Sequence, residues 1–272
     1  MSLSQALSAA GLIRPTRRRG FCPACRGWET GTAGQTGRAE SEISPPTLTA
    51  LAFLVLAAVA WALTIWQARS TDGDGMAMGL ASLEAFATGW VVMMAAMMLP
   101  SALPLVYDFA RRSEGRRRWQ AATGVLAATY LSIWLVFGIA CYFVFRAFPV
   151  PQANQKLVGG LALALAGLYA LTPIKNASEA RCRELCALHG PLPFNLVRSA
   201  MVVGARYALS CVGCSAGLMV AMVILGMSSL GWVVILAGQI LGYKLGPAPT
   251  MRRRWLLWAV LVALGVAYRL MA

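Results

Sequence analysis

From residue 47 onward the chain alternates apolar stretches with short polar connections. A helix that crosses about 30 Å of hydrocarbon needs roughly 20 apolar residues. Thr47–Gln67, Phe86–Tyr107 and Ala121–Phe145 meet that length without one Asp, Glu, Lys or Arg. Leu157–Thr172 is shorter and equally uncharged. Leu209–Met227 and Ser228–Tyr243 read as a helical hairpin turned at Ser228-Ser229-Leu230-Gly231. Trp255–Ala272 closes the chain, with Arg269 placed to snorkel to the interface. The pattern predicts an all-α, polytopic transmembrane helix bundle of seven spans, or six if the short Ser228–Tyr243 stretch does not cross. Before the fifth span, Asn195, Arg198, Ser199 and Arg206 fall on one helical side. Leu196, Val197, Ala200, Met201, Val203 and Tyr207 fall on the other, which predicts an interfacial helix on the cytoplasmic leaflet.

Residues 1–46 differ from all that follows. They are rich in Gly, Ser, Thr and Arg, hold no apolar run and end in Ser44-Pro45-Pro46. Without an apolar h-region this stretch is not a secretory signal peptide, and it reads as a disordered cytoplasmic tail. The transmembrane helical domain then covers residues 47–272.

Composition explains why lipid must be the solvent. Hydrophobic residues make up 58% of the 272 and charged residues only 12%, against about 25% charged in soluble domains. This excludes a secreted disulfide scaffold, a disordered chain and an ordinary soluble enzyme. The formal charge of +14 arises from 24 basic and 10 acidic residues. With a cytoplasmic amino terminus, six basic residues fall in the tail, five at Arg111–Arg118, five between Lys175 and Arg206, and four at Lys244–Arg254. Arg69, Arg146, Lys156 and Arg269 fall on the other side. Twenty inside against four outside is the positive-inside pattern of an inner-membrane protein, so the basic excess reports topology and implies no nucleic acid. Trp66, Trp90, Trp232 and Trp255 lie near span ends, where interfacial rings belong.

What lipid alone does not explain is the sulfur. There are 13 Met and 7 Cys. In the second span Met93, Met94, Met97 and Met98 form two neighbouring stripes just before Pro100 and Pro104. Thioether sulfur suits Cu(I), although methionine also fills gaps between helices. Pro100 and Pro104 each leave a backbone carbonyl that a neighbour or cavity must satisfy. The fifth span opens with Cys211-Val212-Gly213-Cys214, two thiols close enough on a helix to share an ion, and Met222 follows on nearly the same face. Cys182 and Cys186 stand one turn apart on the preceding connection, with the single histidine, His189, three residues later. The second span runs inward and the fifth outward. Met94, Met97, Met98, Cys182, Cys211 and Cys214 therefore share the cytoplasmic half of the bundle, and these are the candidate metal ligands. Thiols on that side stay reduced, which argues against structural disulfides. Cys22-Pro-Ala-Cys25 is half a zinc knuckle, two ligands where structural zinc takes four.

The absences narrow the chemistry further. No span centre carries Asp, Glu, Lys or His, the groups that mark proton relays. One histidine cannot build a hydrolase triad, and no phosphate-cradling Gly motif is present. Gly238 and Gly242 form a GxxxG suited to close helix packing.

The residues Trp90, Met93, Ala96-Met97-Met98-Leu99-Pro100-Ser101 and Pro104 resemble a bacterial family of predicted metal-binding integral membrane proteins, a domain of unknown function. The resemblance continues through Leu171-Thr172-Pro173-Ile174-Lys175, Cys182-Arg183, Cys211-Val212-Gly213-Cys214 and Lys244-Leu245, and covers roughly residues 86–247. The family's pattern has a cysteine where this chain has Ser178, and Cys-Cys-Trp where it has Cys214-Ser215-Ala216. An acidic residue is common at the position of Tyr243. The chain is thus a divergent member by this resemblance, which implies metal binding and no reaction.

The expectation is a non-enzymatic protein of the bacterial inner membrane that binds a soft metal, copper(I) ahead of zinc, near its cytoplasmic side. It would hand that metal to a soluble metal-handling partner. Two other readings stand beside it. One is a channel or carrier with a polar path past Gln239, Ser210 and Tyr130. The other is a structural scaffold in which the sulfur residues only pack helices.

Overall fold

The computed structural model describes residues 45–70, 82–149, 151, 154–186, 195–225, 230–246 and 250–270. These are α-helical, with no strand among the described residues. Residues 1–44 with Cys22 and Cys25, His189, the Ser228-Ser229 turn and the side chain of Arg269 lie outside the described residues. The helices are α1 (Pro45–Ser70), α2 (Leu83–Ser113), α3 (Trp119–Ala147), α4 (Gln155–Leu171), α5 (Pro173–Leu185), α6 (Leu196–Leu225), α7 (Leu230–Leu245) and α8 (Met251–Leu270).

Local chemistry sets several helix ends. Ser82 caps α2, its Oγ accepting from the Ala85 amide at 3.2 Å, and Glu84 complements the dipole in the first turn. Thr172 caps α5 by accepting from the Lys175 amide, and Pro173 takes the first helical position, where its missing N–H costs nothing. That cap turns the chain by 68° between α4 and α5.

The helices pack as neighbours in pairs: α1 on α2, α4 on α8, and α3 on α6, with α2 against α3 and α5 against α6. Ala57 and Ala60 of α1 seat on Ala95, Ala96 and Leu99 of α2, small residues that let two backbones approach. The rest of α1 points outward, including Leu51, Leu54, Val55, Leu56 and Val59. Between α2 and α3, Trp90 Nε1 donates to the Trp134 carbonyl at 2.8 Å, and a Cβ at Gly138 would overlap the Trp90 indole. Between α3 and α6, a Cβ at Gly204 would stand 2.7 Å from the Leu126 carbonyl.

Four helices, α1, α2, α3 and α6, are long and apolar enough to cross a membrane, and five if the bent α4–α5 pair forms one span. That is fewer than the seven expected. Counting apolar residues overestimates spans when helices bend or stop early. The 16 residues of α7 reach only about 24 Å, and α8 begins with Arg252-Arg253-Arg254 ahead of its short apolar part, Trp258–Ala267. The interfacial helix also does not stand apart, because its residues continue straight into the fifth span as the uninterrupted α6. No Pro or Gly pair breaks the register there, and its apolar side buries Leu196, Ala200 and Tyr207 in the core.

Three smaller expectations change too. Trp90 is a fully buried core residue whose ring nitrogen finds a backbone partner, while Trp66 and Trp255 are exposed. Lys175 and Lys244, counted among loop charges, are buried. Among the described residues nothing stands within 4 Å of a Cβ at Gly238 or Gly242, whereas Gly160 of α4 and Gly265 of α8 make a close backbone approach.

Candidate metal centre

The longest helices meet at their midpoints. Met98 is the central residue of α2 (Leu83–Ser113), and Cys211 stands at the middle of α6 (Leu196–Leu225). Tyr130 comes from the middle of α3, Cys182 from α5, and Lys244 from the last turn of α7. All five side chains are buried.

Cys211 is the hub. Lys244 Nζ donates to its sulfur at 2.7 Å, and the Tyr130 hydroxyl lies in hydrogen-bonding contact at 3.1 Å. The same ammonium donates to Ser101 Oγ at 3.0 Å, approaches Met98 Sδ at 4.0 Å and sits 5.9 Å from the centre of the Tyr207 ring. Tyr207 in turn donates to the Ser101 carbonyl at 3.0 Å. The Cys182 thiol makes side-chain hydrogen-bonding contact with both Cys211 and Cys214. On α6 itself, Cys214 Sγ and Ser215 Oγ both donate to the Cys211 carbonyl, at 3.2 and 2.6 Å.

A buried ion ladder runs along α5 beside this hub. Lys175 Nζ donates to Glu179 at 2.9 Å and Arg183 to the other carboxylate oxygen at 3.3 Å, each one helical turn away. Arg183 also donates to the Gly246 carbonyl at 2.9 Å, which ties α5 to the end of α7 and so to Lys244. A Cβ on Gly213 would overlap Ser178, so the glycine between the two α6 cysteines is what lets α5 lie this close.

Two small cavities flank Cys214. One, of about 10 Å³, is lined by Ser101, Cys182, Cys186, Tyr207, Cys214 and Lys244. The other, of about 20 Å³, lies toward Tyr169, Lys175 and Gln239. Each has room for one water or one ion and no larger solute.

Of the six candidate ligands, Met98 and Cys211 contact Lys244, and Cys182 and Cys214 line the smaller cavity beside it. Met94 and Met97 are buried in the same core, Met94 one turn before Met98. Nothing further links those two to the hub. Among the described residues, no three His, Cys, Asp or Glu side chains stand as a ready-made metal cage. The thiols here are engaged by hydrogen bonds and by Lys244. Cys186 lines the same cavity, with its sulfur 3.9 Å from the Tyr207 hydroxyl.

Sequence reasoning missed Lys244, Ser101, Tyr207 and Glu179. A lysine that ends an apolar run looks like a loop charge, and the available signal was the place of Ser101 and Lys244-Leu245 among the residues that carry the family resemblance. Of the residues on the expected polar path, Tyr130 is hydrogen-bonded to Cys211 and Gln239 lines the second cavity. The methionine stripe packs inward, in the same buried core as Cys182, Cys211 and Cys214.

The family described as copper chaperone, PpoB2, matches residues 87–268, from the first turn of α2 to the end of α8. The chain belongs to this copper chaperone family. No curated protein and no solved structure matches it.

Proposed function

We propose that the chain is a membrane-embedded, non-catalytic chaperone that holds one Cu(I) ion at Met98, Cys182, Cys211 and Cys214 and passes it to a soluble metal-handling partner. The observation that carries this reading is that Met98 of α2 and Cys211 of α6 converge on Lys244, while Cys182 of α5 and Cys214 of α6 line, with Lys244, a cavity the size of one ion. Cu(I) is soft, prefers thiolate and thioether sulfur, and accepts low coordination numbers, so a set without histidine suits it. Zinc is the lesser occupant, since its protein ligands are thiolate, imidazole and carboxylate and one of the four groups here is a thioether. Membership in a copper chaperone family supports copper as the cargo.

In this reading the apolar outer faces of α1, α2, α3 and α6 lie in the inner membrane. The amino terminus is cytoplasmic and the Arg-rich connection at Arg116–Arg118 faces the same side, following the distribution of basic residues. The sulfur set then loads or unloads from the cytoplasm. Cavities of 10–20 Å³ favour an ion as cargo over a larger solute.

The test is the copper content of full-length protein purified from copper-supplemented cells. Near-stoichiometric Cu(I) that falls to background with Cys211→Ser plus Cys214→Ser is the expected result. Sparse metal that does not change with the double substitution contradicts the reading.

A further inference from the structure

We infer that Lys244 is the charge filter of this site: its buried ammonium admits a monovalent soft cation and disfavours a divalent one. The inference rests on the copper-binding reading above and deepens it, because soft sulfur ligands alone do not separate Cu(I) from divalent thiophilic ions such as Cd(II) or Zn(II).

The ammonium is not a loose surface charge. It donates to Cys211 Sγ at 2.7 Å and to Ser101 Oγ at 3.0 Å, stands 4.0 Å from Met98 Sδ, and lies over the Tyr207 ring. Ser101 is itself fixed, its hydroxyl donating to the Met98 carbonyl at 2.8 Å and its carbonyl accepting from Tyr207. Arg183 clamps the end of α7 through the Gly246 carbonyl, two residues beyond Lys244. The cation is therefore held beside the sulfurs by α2, α6 and α5 together, and a metal bound to Cys211 would sit within a few Å of it.

Charge arithmetic then discriminates between cargoes. For any fixed set of thiolate and thioether ligands, a divalent ion brings one positive charge more than Cu(I). In a buried site that extra charge meets an ammonium only a few Å away, and repulsion at such distances is large where water does not screen it. With Cu(I), bound thiolates leave excess negative charge, which the ammonium offsets. The neighbouring carboxylate does not neutralise this ammonium, since Glu179 is engaged by Lys175 and Arg183. Tyr130 faces Cys211 from α3 as a hydrogen-bond partner.

The experiment compares full-length wild type with Lys244→Met, Lys244→Gln and Lys244→Arg in detergent. Cu(I) affinity is read by competition with a chromophoric Cu(I) chelator, and Cd(II) affinity by the thiolate-to-metal absorption band. The expected result is that the Cu(I)-over-Cd(II) preference falls by at least roughly tenfold in the Met and Gln variants and is retained in Lys244→Arg. A wild-type preference in either folded neutral variant overturns the inference, as does an Arg variant that loses preference like Met. Wild type that binds neither ion brings down the copper reading itself, a result distinct from binding without discrimination.

Discussion

α1 and α2 lie against each other and are both long and apolar, yet they present opposite surfaces. α1 carries the more uniformly aliphatic sequence and leaves most of it exposed, burying mainly the small face of Ala57 and Ala60. α2, with four methionines, two prolines and Ser101, is buried through its middle. The less aliphatic helix is the inner one. In water that order would be reversed; it follows when lipid wets the outside and the interior collects the groups lipid cannot satisfy. The difference teaches where to look for function: the polar and sulfur-bearing positions of α2, α5, α6 and α7 form an inner seam, and α1 supplies an apolar outer cover.

If that contrast is right, substitutions of similar size should have very different consequences in the two regions. The largest effect is expected at Glu179. Glu179→Gln removes the carboxylate between Lys175 and Arg183, both largely buried, and should cost about 3–5 kcal/mol in detergent unfolding measurements. A cost near zero would mean that the ladder is solvated and the seam is not an interior.

An intermediate and selective effect is expected at Met98. Met98→Leu keeps volume, so stability should change by less than about 1.5 kcal/mol, whereas Cu(I) affinity should fall by roughly tenfold with one soft ligand gone. Stability and affinity changing together would point to packing alone. The smallest effect is expected on the outer face of α1. Leu56→Ala, at a half-exposed position, should leave both unfolding and copper affinity within about 0.5 kcal/mol of wild type. A larger loss there would place another surface against α1 and end the contrast.

Much of this arrangement is legible in residue order. Uncharged runs foretell the long helices, and the sulfur residues picked out on two of them include Met98 and Cys211, which stand at the midpoints of α2 and α6. Periodicity cannot foretell how helices meet. It does not show that α5 turns by 68° and brings Cys182 to Cys211, nor that α7 ends level with the midpoint of α2. For the same reason Lys244 looks like a boundary charge until its partners on α2 and α6 are seen. Trp90 looks interfacial because its ring is amphipathic; its partner, the Trp134 carbonyl, lies 44 residues away. Each miss concerns a contact between elements distant in sequence. Local pattern encodes which face is apolar, and tertiary packing decides what that face touches.

The central claim is that copper is held by the sulfur of this inner seam. X-ray absorption at the copper edge of the Cu(I)-loaded, full-length protein tests it most directly. The account predicts a first shell of sulfur alone, two to four atoms at about 2.3 Å by analogy with zinc–thiolate distances. Cys211→Ser should remove sulfur from that shell. A shell of nitrogen and oxygen, or a sulfur shell unchanged by Cys211→Ser, would contradict it.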